Sequence, residues 1–442
     1  MSGKYHVIVV GAGPAGLMAA VKAAEKGLKV IVVEKKNEIT EVLRTTGNAF
    51  RNMNPINGEF LTVEKLKDKA KVHFNNSNFD LLYTGKLIDS YDSYSFSNSG
   101  YCIHRTRQDR PAQYTFRVKT LYQDLKDRAE EMGTTFMTGT IGMKVEKSGQ
   151  GLRVHMKQGN KVTWEEADLV IAADGLQSRI AEAMGVNRDR KFFVKGPCFE
   201  TTFTGVEFPH PVGFSSIRGK GMTGGRDGFI FLYPSAEAEN AYSVMVQTKF
   251  PANQGQKIVE YFTKESICAS WFRHAKPISR SAAMVTLRSP MINPCIDRVL
   301  FIGDAAAYGE TLVAGALRCG YHAADAVYKD LSGEKGLEEY TDFWQSNFEY
   351  VKNPMKQADY TKILLLYGYL TEDELDYLFR LAQERGPIVQ GGDAASNEYT
   401  GAHQLIDYFL TFPEVQGELL KKLREIKGAD IETTSKKRKW KE

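Results

Sequence analysis

The sequence predicts an α/β fold: a dinucleotide-binding unit, an inserted and mostly antiparallel β domain, and a helical carboxy-terminal region. Three observations carry that prediction. A glycine-rich turn, "GAGPAG" from Gly11 to Gly16, stands between two apolar strand-like runs near the start of the chain. A second strand-like run much later, "RVLFI", ends in "GDAA", which places a carboxylate, Asp304, at another strand end. Between and beyond these landmarks the pattern changes twice. Strands and turns alternate over roughly 190–290, and helical spacing dominates from about 335 onward.

The first unit is justified element by element. Tyr5 to Val10 ("YHVIVV") reads as a buried strand, and "PAGLMAAVKAAEKG" then has helical spacing that stops at Gly27. "KVIVVE" is a second strand, ending at Glu34. Gly11 permits the tight turn, Gly13 lets a pyrophosphate approach the backbone, and Gly16 lets helix and strand pack closely. The helix start offers free N–H groups and a positive dipole to phosphates. Glu34 can accept from ribose hydroxyls. Strand, glycines, helix, strand and acid in this order form a specific signature, whereas the glycines alone would not. The distant Asp304 bears on which dinucleotide binds. NAD has two riboses and no further polyol, whereas FAD carries a ribityl chain beyond its pyrophosphate. A second acidic strand end favours FAD.

Composition narrows the class. The chain has 442 residues, with 42% hydrophobic and 25% charged, and a net charge of +4. That is enough for two or three packed units of an ordinary soluble protein and gives no polyanion-binding character, so no nucleic-acid partner is expected. The five cysteines are scattered and make no CxxC pair, which argues against a zinc ribbon or a thioredoxin-type redox pair and fits a reduced, cytoplasmic setting. No metal site is expected. A strand begins almost at the first residue, so no signal peptide is read there, and no apolar run reaches the roughly 20 residues of a membrane span. The tail "KKRKWK" (Lys436 to Lys441) supports two readings: a loose hold on anionic membrane surfaces, or a solvated segment.

Three stretches together resemble a known family. "GAGPAG" with Glu34, "ADLVIAADGLQSRIAEAMG" (167–185) and "RVLFIGDAA" (298–306) resemble the fingerprints of the FAD-dependent para-hydroxybenzoate hydroxylase superfamily, and most of all its geranylgeranyl reductase-like members. The resemblance implies a Rossmann-like FAD domain of the GR2 type and non-covalent FAD. It implies cofactor contacts from Gly11, Gly13, Pro14, Ala15, Gly16, Glu34, Lys35, Arg44, Thr45, Arg117, Asp174, Gly303, Asp304, Gly315 and Ala316. Arg44 matches an arginine near the pyrophosphate, and Arg117 the flavin-contacting arginine that opens a helix. Asp174 with Gly175 matches the element that braces the cofactor turn, and Asp304 the ribityl-binding aspartate. Two departures stand out. Thr45 and Thr46 occupy a place where some reductases carry a cysteine. The loop after Asp304 lacks the usual proline and looks short, with Glu310 and Thr311 in its place.

The expected division assigns 1–75, 100–187 and 290–332 to the FAD domain and 76–99 with 188–289 to a substrate-binding sheet. A helical region, 333–434, and a basic tail, 435–442, complete it. Within the sheet, "GFIFLYP" puts Phe229, Phe231 and Tyr233 on one face of a strand, as either a pocket wall beside the flavin or plain sheet core. Tyr233 and Glu310 are the candidates for a proton donor. "GKGMTGG" (Gly219, Gly221, Gly224) also has GxGxxG spacing, but an aromatic strand follows it, so it reads as a hairpin or flap and not a second nucleotide site. The external reductant is then NAD(P)H visiting transiently or a reduced electron-carrier protein. The leading function is FAD-dependent reduction of a C=C bond in a lipophilic, isoprenoid-like substrate. Alternatives are an aromatic monooxygenase, a halogenase-like enzyme or an electron-transfer flavoprotein.

Overall fold

The structure is a computed structural model that describes residues 4–42, 45, 47–52, 59–248, 251, 253–309, 311–353, 362–390 and 401–429. Arg44, Thr46, Glu310 and the basic tail lie outside the described residues.

One eight-stranded sheet organises the cofactor end. Its central strands run Thr135–Met137, Val30–Val33, Tyr5–Val10, Lys161–Ala172 and Val299–Phe301, each parallel to its neighbour. Val7 pairs with Val30 on one side and Leu169 on the other. These strands are continuous β-branched runs because both their faces are covered, and Val7, Ile8, Val9, Val32 and Val170 are completely buried. Gly151–Gln158 and Thr140–Ser148 extend the sheet as an antiparallel pair.

The Pro14–Glu25 helix lies between this sheet and the Leu312–Leu331 helix. Here the structure explains the run of small residues after Asp304. A Cβ on Gly320 would collide with the carbonyl oxygen of Ala15 and would stand 2.9 Å from the Ala19 nitrogen. The small residues therefore let two helix backbones touch. The helix starts at Leu312, so Gly315 and Ala316 sit in its first turns.

The second eight-stranded sheet runs in the order Lys276–Arg288, Phe192–Thr204, Ala241–Thr248, Gly228–Ser235, Gly213–Ile217, Asp92–Phe96, Cys102–Arg107 and Ile388–Gln390. It is mostly antiparallel, with parallel pairing where Gly213–Ile217 meets Asp92–Phe96 and where Ile388–Gln390 meets Cys102–Arg107. It thus recruits two segments that the sequence assigned elsewhere, 102–107 to the FAD unit and 388–390 to the helical region. Residues 79–83 instead close a small sheet with Leu61–Lys65 and Ala70–Phe74.

One face of the large antiparallel sheet is a true core. Ile230, Leu232, Val244 and Val246 are fully buried against Ile258 and Phe262 of the Gln254–Lys264 helix. The carboxy-terminal helices form a separate core around Leu378, Phe379, Ile406 and Phe409. The helix Glu372–Glu384 opens with a complete capping box from Thr371 and Glu374. Among the described residues no helix is long and apolar enough to cross a membrane.

Candidate active site

Four adjacent parallel strands present their carboxyl ends in a row. From one side to the other these ends carry Glu34, the turn at Gly11, Asp174 and Asp304. Three strand spacings separate the Glu34 strand from the Asp304 strand, about 14 Å. That span suits an extended dinucleotide and exceeds what a mononucleotide needs. Ligands of such sheets sit outside these strand ends.

The glycines are required by contacts. Gly11 has φ +105°, and a Cβ there would meet the Ala173 carbonyl; a Cβ on Gly16 would run into the Gly11 carbonyl. Gly13 differs: among the described residues, nothing lies within 4 Å of where its Cβ would be. That open space borders the start of the Pro14–Glu25 helix, whose N-cap, Gly13, offers no side-chain cap to the first N–H groups. An uncapped helix start beside open space fits a pyrophosphate. Pro14, at the first helical position, has no N–H to leave unpaired, and Ala15 is buried under it.

Glu34 is 5% exposed. Its Oε2 accepts the Ala12 N–H at 2.7 Å and its Oε1 the Lys36 N–H at 2.9 Å. It therefore fastens the glycine turn to the second strand and still has lone pairs for a ribose. Lys35 is exposed beside it. Asp174 Oδ2 accepts from the Arg179 and Ile180 amides at 2.7 and 3.2 Å, which caps the short Arg179–Ala183 helix, while its Oδ1 is buried with no hydrogen-bond partner among the described residues. Burial raises the Asp174 pKa above the usual carboxylate value. The backbone of Ala173 and Asp174 is what Gly11 packs against, so this element supports the turn from behind.

Asp304 follows Gly303, which has φ +59°. Thr311 Oγ1 donates to Asp304 Oδ1 at 3.3 Å and to the Ala307 carbonyl at 2.8 Å, so this threonine serves the loop and does not cap the Leu312–Leu331 helix. That helix start, with Gly315 and Ala316, again lacks a side-chain cap among the described residues. Arg190, which the sequence did not single out, holds the same loop: it donates to the carbonyls of Ser289, Ala305 and Ala306 at 2.7, 3.1 and 3.0 Å. Replacing Asp304 with Ala is expected to weaken FAD retention by roughly 1–3 kcal/mol. Titration of flavin-stripped protein with FAD measures this, and unchanged affinity contradicts the assignment.

Arg117 caps its helix with its backbone and turns its side chain to Glu237, at 2.8 Å, across to the antiparallel sheet. Thr45 lies beside the thiol of Cys198, which hydrogen-bonds to it and is pushed up to about 12 by burial. Cys198 belongs to the second sheet, on the face away from its core, so the loop that carries Thr45 meets that face. Sequence reading missed Cys198 because nothing local relates it to Thr45.

On that face Phe229 and Phe231 are partly exposed, whereas their alternates Ile230 and Leu232 are completely buried in the core behind. Phe229 touches Phe231 at 5.1 Å between ring centres, Phe231 touches Phe214 at 5.2 Å, and the Arg51 guanidinium lies 4.6 Å over Phe214. Tyr233 shares the face but is only 2% exposed. Burial first, then the neighbouring Glu200 carboxylate to which it is hydrogen-bonded, hold its phenol pKa well above the usual value. The "GKGMTGG" segment links the antiparallel strands Gly213–Ile217 and Gly228–Ser235, a hairpin as expected, and forms a helical turn, Lys220–Thr223, with Met222 fully buried.

Comparison with known proteins agrees with this geometry. Residues 4–309 match the family described as FAD binding domain. The chain belongs to that family. A digeranylgeranylglycerophospholipid reductase of Methanocaldococcus jannaschii is 26% identical over 398 residues, covering 88% of this chain and 92% of that protein. A geranylgeranyl bacteriochlorophyll reductase-like protein of Thermoplasma acidophilum has a similar structure, with TM-score 0.68 and 17% identity over 96% of this chain and 99% of that one. The p-nitrophenol 4-monooxygenase of Pseudomonas putida shares the fold at TM-score 0.61 and 14% identity, over 98% of each chain. The chain is thus an FAD-binding flavoprotein whose fold is shared by geranylgeranyl reductase-like proteins and flavin monooxygenases.

Proposed function

We propose that this flavoprotein reduces C=C bonds in a lipophilic, isoprenoid-chain substrate. The observation that carries the reading is the half-buried row of Phe229, Phe231 and Phe214, turned away from its own domain's core. The name of the M. jannaschii relative, a reductase of a lipid with geranylgeranyl chains, supports it. Bound FAD, once reduced, supplies the hydride. The chain's own residues supply the rest. Gly13 and the uncapped helix start hold the pyrophosphate, Glu34 the adenosine ribose and Asp304 the ribityl chain. The phenylalanine row takes the apolar chain and excludes water from it. Tyr233 keeps its proton near neutral pH and positions Glu200, so it is a poor proton donor. The reductant is a visiting NAD(P)H or a reduced carrier protein, a reading supported by the helical turn that occupies the second glycine motif.

Two tests follow from the pocket and the flavin. Phe231→Ala should raise KM or change substrate choice while flavin content stays near normal; loss of flavin or of folding would return the residue to plain core. Mixing dithionite-reduced holoenzyme with a geranylgeranyl lipid under strict anaerobiosis should reoxidise the flavin. A requirement for oxygen would favour the monooxygenase reading instead.

A further inference from the structure

Among the described residues, two guanidiniums lie at one end of the phenylalanine row without a carboxylate partner. Arg218 is only 8% exposed. It stands one residue past the Gly213–Ile217 strand, in alternation with Phe214 and Ser216. Its guanidinium is sandwiched between the rings of Phe229 at 4.6 Å and Tyr367 at 4.5 Å, the latter on the Lys362–Tyr369 helix of the carboxy-terminal region. Its Nε is buried and has no hydrogen-bond partner among the described residues. Arg105, two strands away, is partly buried and donates to Ser95 Oγ at 3.2 Å. Ser95 pairs directly with Ser216, so Arg105 reaches toward Arg218 along one face of the sheet. Both charges act on the Tyr367 hydroxyl.

Ring faces stabilise a guanidinium in its plane normal but do nothing for N–H groups pointing outward. Two neighbouring cations repel each other, and a buried charge without a counter-ion is costly. The folded protein retains both at the end of an apolar trough. An oxyanion arriving there would pair with both cations and satisfy the orphan Nε in one step. A guanidinium fork suits phosphate oxygens in particular.

We propose that Arg218 and Arg105 bind the anionic head group, a phosphate ester, of the lipid whose apolar chain lies along Phe229 and Phe231. The proposal rests on the reductase reading for the chain and adds the charge of its head. The phosphate could belong to a lipid or be free, and three probes separate these sources: farnesyl monophosphate, farnesol and inorganic phosphate. Each is titrated calorimetrically into FAD-loaded full-length protein. Farnesyl monophosphate should bind about tenfold or more tightly than farnesol, the size of one charge-assisted contact. Arg218→Gln should reduce that difference several-fold, with Arg218→Lys restoring part of it. Arg105→Gln should reduce the difference too, and it serves as the test if Arg218→Gln loses flavin. Equal binding of the ester and the alcohol by wild type overturns the proposal, as does a difference that survives both glutamine variants. Inorganic phosphate binding as tightly as the ester would assign the site to a free anion and also overturn the head-group role. The reductase reading fails separately: charge-selective binding with no reduction of the chain removes that reading alone, whereas reduction without charge preference removes the head-group assignment alone.

Discussion

Gly16→Ala should give protein with little or no flavin and a lowered melting temperature, whereas Gly13→Ala should fold normally and yet hold FAD poorly. The two glycines are three residues apart and serve different partners. A Cβ on Gly16 meets the Gly11 carbonyl, a backbone atom with no side chain to move aside, so the Pro14–Glu25 helix must shift. Leu17 and Ala19 of that helix are completely buried and transmit the shift into the core. A Cβ on Gly13 meets no described atom and occupies only the space assigned to the pyrophosphate. The ratio of visible to ultraviolet absorbance, with thermal melts of flavin-stripped samples, separates the two outcomes. A Gly13→Ala protein with full flavin and unchanged affinity would mean that the phosphates lie elsewhere.

The second large effect is on stability. Arg318 and Glu59 form an ion pair at 3.3 Å with side chains 3% and 2% exposed. Glu59 also accepts the Asn76 and Ser77 amides, and Arg318 also donates to Ser77 Oγ and Asn347 Oδ1. The pair ties the small Leu61–Tyr83 sheet to the Leu312–Leu331 helix. Arg318→Met leaves a buried carboxylate uncompensated and should cost roughly 3–5 kcal/mol, while adding Glu59→Gln should recover part of the loss. Urea unfolding monitored by circular dichroism reads both; equal stability of the single and double variants would contradict the coupling. His322 belongs to the same cluster, stacked on Phe343 at 3.9 Å, and burial, then Arg318, lowers its pKa from 6.5 to about 4. The unfolded chain therefore takes up a proton that the folded protein refuses. This contribution is complete above pH 6.5 and shrinks as pH falls toward 4.

The cofactor half of this site is legible because its signals are local. Gly11, Gly13 and Gly16 sit between two strands, and Glu34 and Asp304 each end one, so period and turn chemistry alone place them. The alternation in "GFIFLYP" likewise places three rings on one face. What stays hidden depends on pairing distant in sequence. Nothing near residue 102 reveals that Cys102–Arg107 joins a sheet with strands from 192 onward, so Arg105 does not read as a site residue. Arg218 has the same parity as Phe214, a signal that the sequence does carry. Gly320 is small because Ala15, on a helix far away in sequence, touches it. Sequence reveals that a position must be small, and packing decides against what.

The central claim is that this flavoprotein adds hydride to an alkene without using oxygen. The most direct measurement is mass spectrometry of a geranylgeranyl lipid after anaerobic incubation with FAD-loaded protein and dithionite. The expected product is heavier by two hydrogens for each double bond reduced and contains no added oxygen. An unchanged lipid under these conditions, with an oxygenated product appearing once air is admitted, would contradict the account.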